Sequence, residues 1–128
     1  MIPCCRAEGI GVIPWSPLAR GKLTRPPEAT TLRSQTDDFA TLLYGGTAES
    51  DRKVIARVQE VAAAHGVPPA RIALAWLLQK PGITAPIIGA SKPQHIEDAV
   101  AALSVKLTPE QIKALEEPYV PHPIAGHE

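Results

Sequence analysis

The sequence has no run of apolar residues long enough to span a bilayer, no excess of charge of either sign, and no cysteine beyond the adjacent pair Cys4 and Cys5. Its most strongly apolar stretch, Ile72 to Leu78, falls far short of the roughly 20 residues a membrane-spanning helix needs. The N-terminus lacks the basic segment and apolar run of a secretory leader. A soluble, cytoplasmic protein is the expectation. Thirteen basic and thirteen acidic side chains cancel, so no overall field draws the chain to nucleic acid or to an anionic membrane. Adjacent cysteines seldom form a disulfide, and with no companion ligands they make no metal site; they read as small residues on a partly buried helix. What is left is the composition of one folded domain, 128 residues with 45% hydrophobic and 20% charged. Its partners have to be sought in local sites.

Met1 to Glu8 reads as the last turns of a helix, ended by Gly9 as a left-handed cap. The apolar, β-branched run "IGVIPW" that follows has the pattern of a strand buried on both faces in a parallel sheet. From Arg25 to about Ser50 the apolar residues are scattered among Pro, Thr, Ser, Asp and Gly, which predicts a loop of about 25 residues; loops of that length in compact domains serve a function or move. Asp51 to His65 sets Val54, Ile55, Val58, Val61 and Ala62 at helical spacing and is closed by Gly66. "VPPARIALAWLLQKPG" opens with Pro near a helix start and is then almost wholly apolar, a helix covered from several sides in which Trp76 is a core residue. "ITAPIIG" is a second buried strand. Ser91 to Leu103 opens with Ser91 and Gln94 in capping-box spacing and carries Ile96, Val100 and Leu103 on one face; Thr108 and Gln111 repeat the device. Residues 118–128, with Pro118, Pro121 and Pro123, form an irregular tail.

Strands separated by helices run parallel, and parallel sheets need both faces covered. Two strands cannot make such a sheet without a long bare edge. The chain therefore reads as part of a larger α/β domain, prone to self-association through its unpaired edges.

Two motifs carry chemistry. "WSPLARGKL" follows the first strand: Gly21 permits close backbone approach, and Arg20, Lys22 and Arg25 bring positive charge to a loop able to fold over a phosphate. A turn shaped by proline with solvated cations is the plainer alternative. "IIGASKPQH" ends the second strand at Gly89 and opens a helix at Ser91, so free backbone N–H groups and the positive helix end face outward as an anion seat. Ser91 caps that helix as well.

Together, "GIGVIPWSPLARGKLT" and "ARIALAWLLQKPGITAPIIGASKPQHIEDAV" resemble the C-terminal quarter to third of an aldo/keto reductase, closest to the bacterial branch related to potassium-channel β subunits. The resemblance implies an α/β fold, the C-terminal portion of a (β/α)8 TIM barrel comprising about strands 7 and 8 with their helices, and an oxidoreductase that uses NADPH to reduce aldehyde or ketone carbonyls. In such barrels the working face is the C-terminal end of the strands, with phosphate sites after the last two. The resemblance assigns the pyrophosphate contact to Ser16, Pro17, Leu18, Gly21 and Leu23, and the adenosine 2'-phosphate to Ser91 and Lys92 beside Gly89. It places Trp15 where an aromatic ring stacks on the nicotinamide. His95 stands where the family often has Gln, and Asp98-Ala99 where it often has Glu-Asn, so the adenine contacts depart from the family pattern.

The Asp, Tyr, Lys and His that deliver the proton in this family lie on earlier strands, and Tyr44, Tyr119, His65, His122 and His127 match none of their motifs. No catalytic residue is assigned, and the chain alone is expected to be inactive; its substrate-facing partner is a small carbonyl compound held by the complete barrel. Two other readings stand beside this one, a module that binds or senses NADPH without turnover and a phosphate-binding barrel fragment. "ARIALAWLL" is too apolar to serve as a DNA-reading helix.

Overall fold

The computed structural model describes residues 1–26, 29 and 43–122. Most of the predicted loop from Arg25 and the end of the tail therefore lie outside the described residues. Helix α1 (Ile2–Ala7) ends in a left-handed turn: Gly9 has φ 67°, and the Ile10 N–H reaches back to the Cys5 carbonyl at 2.7 Å. Cys4 is exposed and Cys5 partly buried on this helix, and both are free thiols. Residues 45–50 depart from the predicted loop. Gly45–Thr47 forms a 3-10 turn and α2 (Ala48–His65) begins three residues before the expected Asp51, because Glu49 and Asp51 favour a helix N-terminus and the Thr47 hydroxyl donates to Asp51 Oδ2 at 2.7 Å.

Helix α2 buries Ile55, Val58, Val61 and Ala62 and stops at Gly66, φ 64°, with the Val67 N–H on the Ala62 carbonyl. Helix α3 (Pro69–Leu78) starts on Pro68-Pro69 and buries four successive residues, Ile72, Ala73, Leu74 and Ala75. No single amphipathic face does that; α3 is covered by α2, by α4 (Pro93–Ala101) and the 3-10 turn Ala102–Ser104 that continues it, and by the 3-10 turn Ala19–Thr24. Helix α5 (Pro109–Glu116) packs on α2 and has the predicted capping box: the Gln111 N–H donates to Thr108 Oγ1, and the Thr108 N–H to Gln111 Oε1 at 3.0 Å. The core gathers Val58, Val61, Ala62, Ile72, Ala75, Leu107 and Leu115, with Trp76 and Leu23 packed against it. Trp76 thus keeps its core role while its indole edge reaches the surface.

That edge belongs to a latch between the ends of α3 and α5. Trp76 Nε1 donates to Glu116 Oε1 at 2.9 Å, Lys80 Nζ pairs with the same oxygen, and the ammonium lies 5.0 Å over the Trp76 ring. The Lys80 hydrogen bond, and after it the Trp76 bond, hold the Glu116 carboxyl below the usual carboxylate range. A folded-state pKa that is depressed adds stability above the unfolded pKa of about 4.3 and loses it as pH falls through the folded value. The melting-temperature advantage of the native chain over Glu116→Gln is therefore expected to be full at pH 7 and to disappear on acidification below about pH 4; an advantage independent of pH would show that the carboxylate charge is not what the latch uses.

Two expectations fail in the inner layer. The segments read as buried strands, 10–15 and 83–89, do lie side by side and parallel, but among the described residues they form no strand, only the isolated bridge between Trp15 and Ile87. The Thr84 N–H donates to the Val12 carbonyl at 2.9 Å and the Ile87 N–H to the Pro14 carbonyl at 2.8 Å. Pro14 and Pro86 have no N–H to give, and the Val12 N–H is taken by the Thr84 hydroxyl at 3.0 Å in place of a carbonyl. Nor are the segments buried: Ile13 and Trp15 are 59% and 58% exposed and Ile87 is 51% exposed, because within the described residues no layer covers their inner face.

Candidate cofactor site

Because Trp15 and Ile87 pair in parallel, the chain leaves both segments at the same end of the molecule. The loop 16–24 and the stretch 88–92 thereby start from neighbouring residues although they are more than sixty residues apart in sequence.

The first loop is wound tightly. Ser16, Ala19 and Arg20 have φ of 52°, 48° and 55°, and Gly21 has φ 91°. Only the last conformation suits its residue; each of the others carries strain of roughly 1–3 kcal/mol, and such outliers concentrate at binding sites. Short hydrogen bonds hold the shape: the Gly21 N–H donates to the Leu18 carbonyl at 2.9 Å, and the Thr24 hydroxyl to the Gly21 carbonyl at 2.7 Å. Below, Leu23 packs against the core, and Pro17 and Leu23 roof an apolar cavity of about 560 Å³ whose walls include Pro14, Val58, Trp76 and Leu115. Of the loop's cations, Lys22 Nζ sits 4.9 Å over the Tyr44 ring, and Arg25 folds back so that its guanidinium would lie 3.0 Å from a Cβ placed on Gly21. The loop therefore carries positive charge against its own backbone. Sequence spacing gave no signal for the Lys22–Tyr44 contact, which crosses the long segment between them.

On the second side, Gly89, Ser91, Lys92 and His95 are all exposed, and the space where Gly89 lacks a side chain is open to at least 4 Å. Here the capping expectation is corrected. Lys92, not Ser91, is the N-cap of α4, no side chain caps it, and the Ser91–Gln94 box does not form. The cause is Pro93: a proline at the first helical position forces the preceding residue into extended backbone, and Lys92 has φ −143° and ψ 148°. Ser91 is displaced outward, and its N–H meets His95 Nδ1 at 3.4 Å. Ser91, Lys92 and the His95 ring thus lie together at the exposed start of α4.

Asp98 joins two helices. One of its oxygens, Oδ1, accepts from Arg71 Nε at 2.9 Å and Nη2 at 2.8 Å, a partly buried clamp between α3 and α4. The same oxygen is 3.5 Å from the Gln94 amide in the first turn of α4, so Asp98 ties that turn to α3. Among the described residues, no three His, Cys, Asp or Glu side chains converge to hold a metal, and no single helix is long and apolar enough to cross a membrane.

An inner layer of parallel segments under helices, with a strained loop and a helix end at one rim, is the architecture of part of a (β/α)8 barrel. The sequence profile of the Aldo/keto reductase family matches residues 1–119, and the chain belongs to that family. It is 47% identical to the versiconal hemiacetal acetate reductase of Aspergillus parasiticus over 126 residues, 97% of this chain and 36% of that enzyme. It is 40% identical to an aldo-keto reductase of Fusarium vanettenii, over 99% of this chain and 34% of the relative. In fold it matches the glycerol dehydrogenase of Gluconobacter oxydans with a TM-score of 0.71 at 24% identity, covering 97% of this chain and 39% of that one. The chain spans about a third of the length of the curated relatives it matches.

Proposed function

We propose that this chain is the cofactor-binding part of an NADPH-dependent oxidoreductase that reduces aldehyde or ketone carbonyls to alcohols. The observation that carries the reading is the parallel Trp15–Ile87 pairing, which sets the strained loop and the Lys92 helix end at one rim. The residues there fit a nicotinamide dinucleotide. Trp15 offers an aromatic ring on a residue that is 58% exposed, the loop 16–24 a backbone of unusual curvature with cations beside it, and the exposed Lys92 a charge for a terminal phosphate, beside Ser91 and His95, whose N–H and Nδ1 meet each other. The cofactor, when bound, supplies the hydride; the roles of this chain are to orient it and to choose between its phosphorylated and unphosphorylated forms. Family membership and oxidoreductase relatives such as the Aspergillus parasiticus reductase support the class of reaction.

The test is cofactor choice, made in a chimera in which this chain replaces the aligned part of the Aspergillus parasiticus reductase. Lys92→Glu removes a favourable charge and adds an opposing one, so NADPH affinity is expected to fall by about 1–3 kcal/mol while NADH affinity changes much less. Trp15→Ala should weaken both alike, since both carry the same nicotinamide. Equal losses for NADPH and NADH on Lys92→Glu, read by fluorescence titration, would move the phosphate seat to the cations after Ser16.

A further inference from the structure

Little fixes the start of α4. Residues 91–97 are exposed, Lys92 has no side-chain cap, and Ile96, Val100 and Leu103 are 53%, 60% and 60% exposed, so the aliphatic face they share is not what seats the helix. Asp98 is the first residue of α4 to be partly buried. The inward residues after it, Ala99, Ala101 and Ala102, are alanines, whose methyl groups give contact without direction. Direction comes from Asp98: its Oδ1 takes Nε and Nη2 of Arg71 at 2.9 and 2.8 Å and lies 3.5 Å from the Gln94 amide in the first turn. The pair is shielded from water, with side chains 28% and 16% exposed, and two nitrogens of a planar guanidinium define its orientation.

Helix α3, which carries Arg71 in its first turn, has a second neighbour of consequence. It packs against the 3-10 turn Ala19–Thr24 as well as against α4, and Leu23 of that turn lies on the core that Ile72 and Ala75 of α3 help to form. We infer that Arg71 is a positioning residue for the dinucleotide: through Asp98 it registers the helix start at Lys92 against the strained loop, with α3 as their common mount. This inference rests on the cofactor role proposed above for the loop and the start of α4. Lys92 stands six residues before Asp98, about 9 Å along the helix axis, so a tilt of about 10° at Asp98 moves the helix start by about 1.5 Å. A ligand held at two places loses the advantage of its linkage when the spacing between them is wrong, while each half still binds its own place. Arg71 acts on the spacing.

In the chimera described above, Arg71→Met keeps the apolar stem and removes the guanidinium. NADPH affinity is expected to fall about tenfold by fluorescence titration, whereas affinity for adenosine 2',5'-bisphosphate, which carries the 2'-phosphate but no nicotinamide half, should stay within about twofold by calorimetry. Lys92→Glu should weaken both ligands, and that contrast separates a phosphate contact from the mount that positions it. Arg71→Lys retains the charge but offers one nitrogen where Arg71 offers two, so it should restore most of the NADPH affinity, leaving a loss of about threefold; should the methionine chimera prove insoluble, the lysine variant gives the reading. Equal losses for NADPH and the bisphosphate on Arg71→Met, or no loss for either, overturn the inference. If Lys92→Glu leaves the bisphosphate unaffected, Lys92 is retired as the phosphate contact, and a loss confined to NADPH on Arg71→Met still upholds the registering of α4 by Arg71.

Discussion

Replacing Ile72 by Ala is expected to cost the fold about 2–5 kcal/mol, at the upper end because its surroundings cannot collapse. Ile72 is 0% exposed and stands where α2, α3 and α5 meet, packed among Val58, Val61, Ala75, Leu107 and Leu115. Three helices border the hole it would leave, and the cavity under Pro17 and Leu23 is already close by. Small domains hold only about 5–15 kcal/mol in total, so a loss of this size depletes the folded population. Urea titration of the chimera, which places the same core in a complete barrel, gives the measurement; a loss under 1 kcal/mol would mean that the neighbouring side chains repack freely.

The second large effect is expected at Gln79, whose amide stitches the end of α3 to the segment before α5. Its Nε2 donates to the Ala75 carbonyl at 2.8 Å and the Val105 carbonyl at 3.2 Å, and its Oε1 accepts from the Leu107 N–H at 3.2 Å. Leu107 is buried, so Gln79→Leu strands its N–H without water or a partner, and the Val105 carbonyl loses its donor. An unsatisfied buried group costs about 1–3 kcal/mol, and of the three bonds lost two leave a group without its partner, the Ala75 carbonyl keeping the Gln79 backbone N–H, so about 2–4 kcal/mol is expected. Gln79→Glu separates the two halves of the amide: it keeps the acceptor for Leu107 and loses the donor to Val105. The glutamate variant should therefore be less damaging than leucine at low pH, where the protonated carboxyl can donate again, and this ordering by urea titration checks the assignment. Equal losses for both variants at every pH would leave side-chain volume as the only role of Gln79.

What was legible in the sequence was local. The helix over 51–65, the glycine that ends it, the Thr108–Gln111 box and the all-round burial of α3 follow from periodicity and capping chemistry within a few residues. The two inner segments were also legible as apolar runs, but their state depends on donors and on cover: prolines at 14 and 86 thin the ladder, and exposure of Ile13 and Ile87 follows from what lies beside them in space. The misplaced cap is a contest between two rules on neighbouring residues. Ser91 has the better capping side chain, but Pro93 fixes the helix start and gives the position to Lys92. For Asp98, nothing nearby in sequence hinted at Arg71, 27 positions away, which pairs with its Oδ1. Of the site, the residues that leave the two segments could be read from their order and chemistry; their strain and their internal partners could not.

The contact that creates the candidate site also determines when it can exist. Helices α2 and α3 are neighbours in sequence and meet after a short turn, whereas the Val12 N–H and the Thr84 hydroxyl that anchor the inner segments are 72 residues apart. Closing a long loop costs entropy before any contact repays it, and pairings of high sequence separation form slowly. The helix layer is thus a platform that assembles early, and the rim formed where the chain leaves the paired residues Trp15 and Ile87 is a product of the final closure. A chain caught before that closure would be largely helical by spectroscopy and lack the rim altogether.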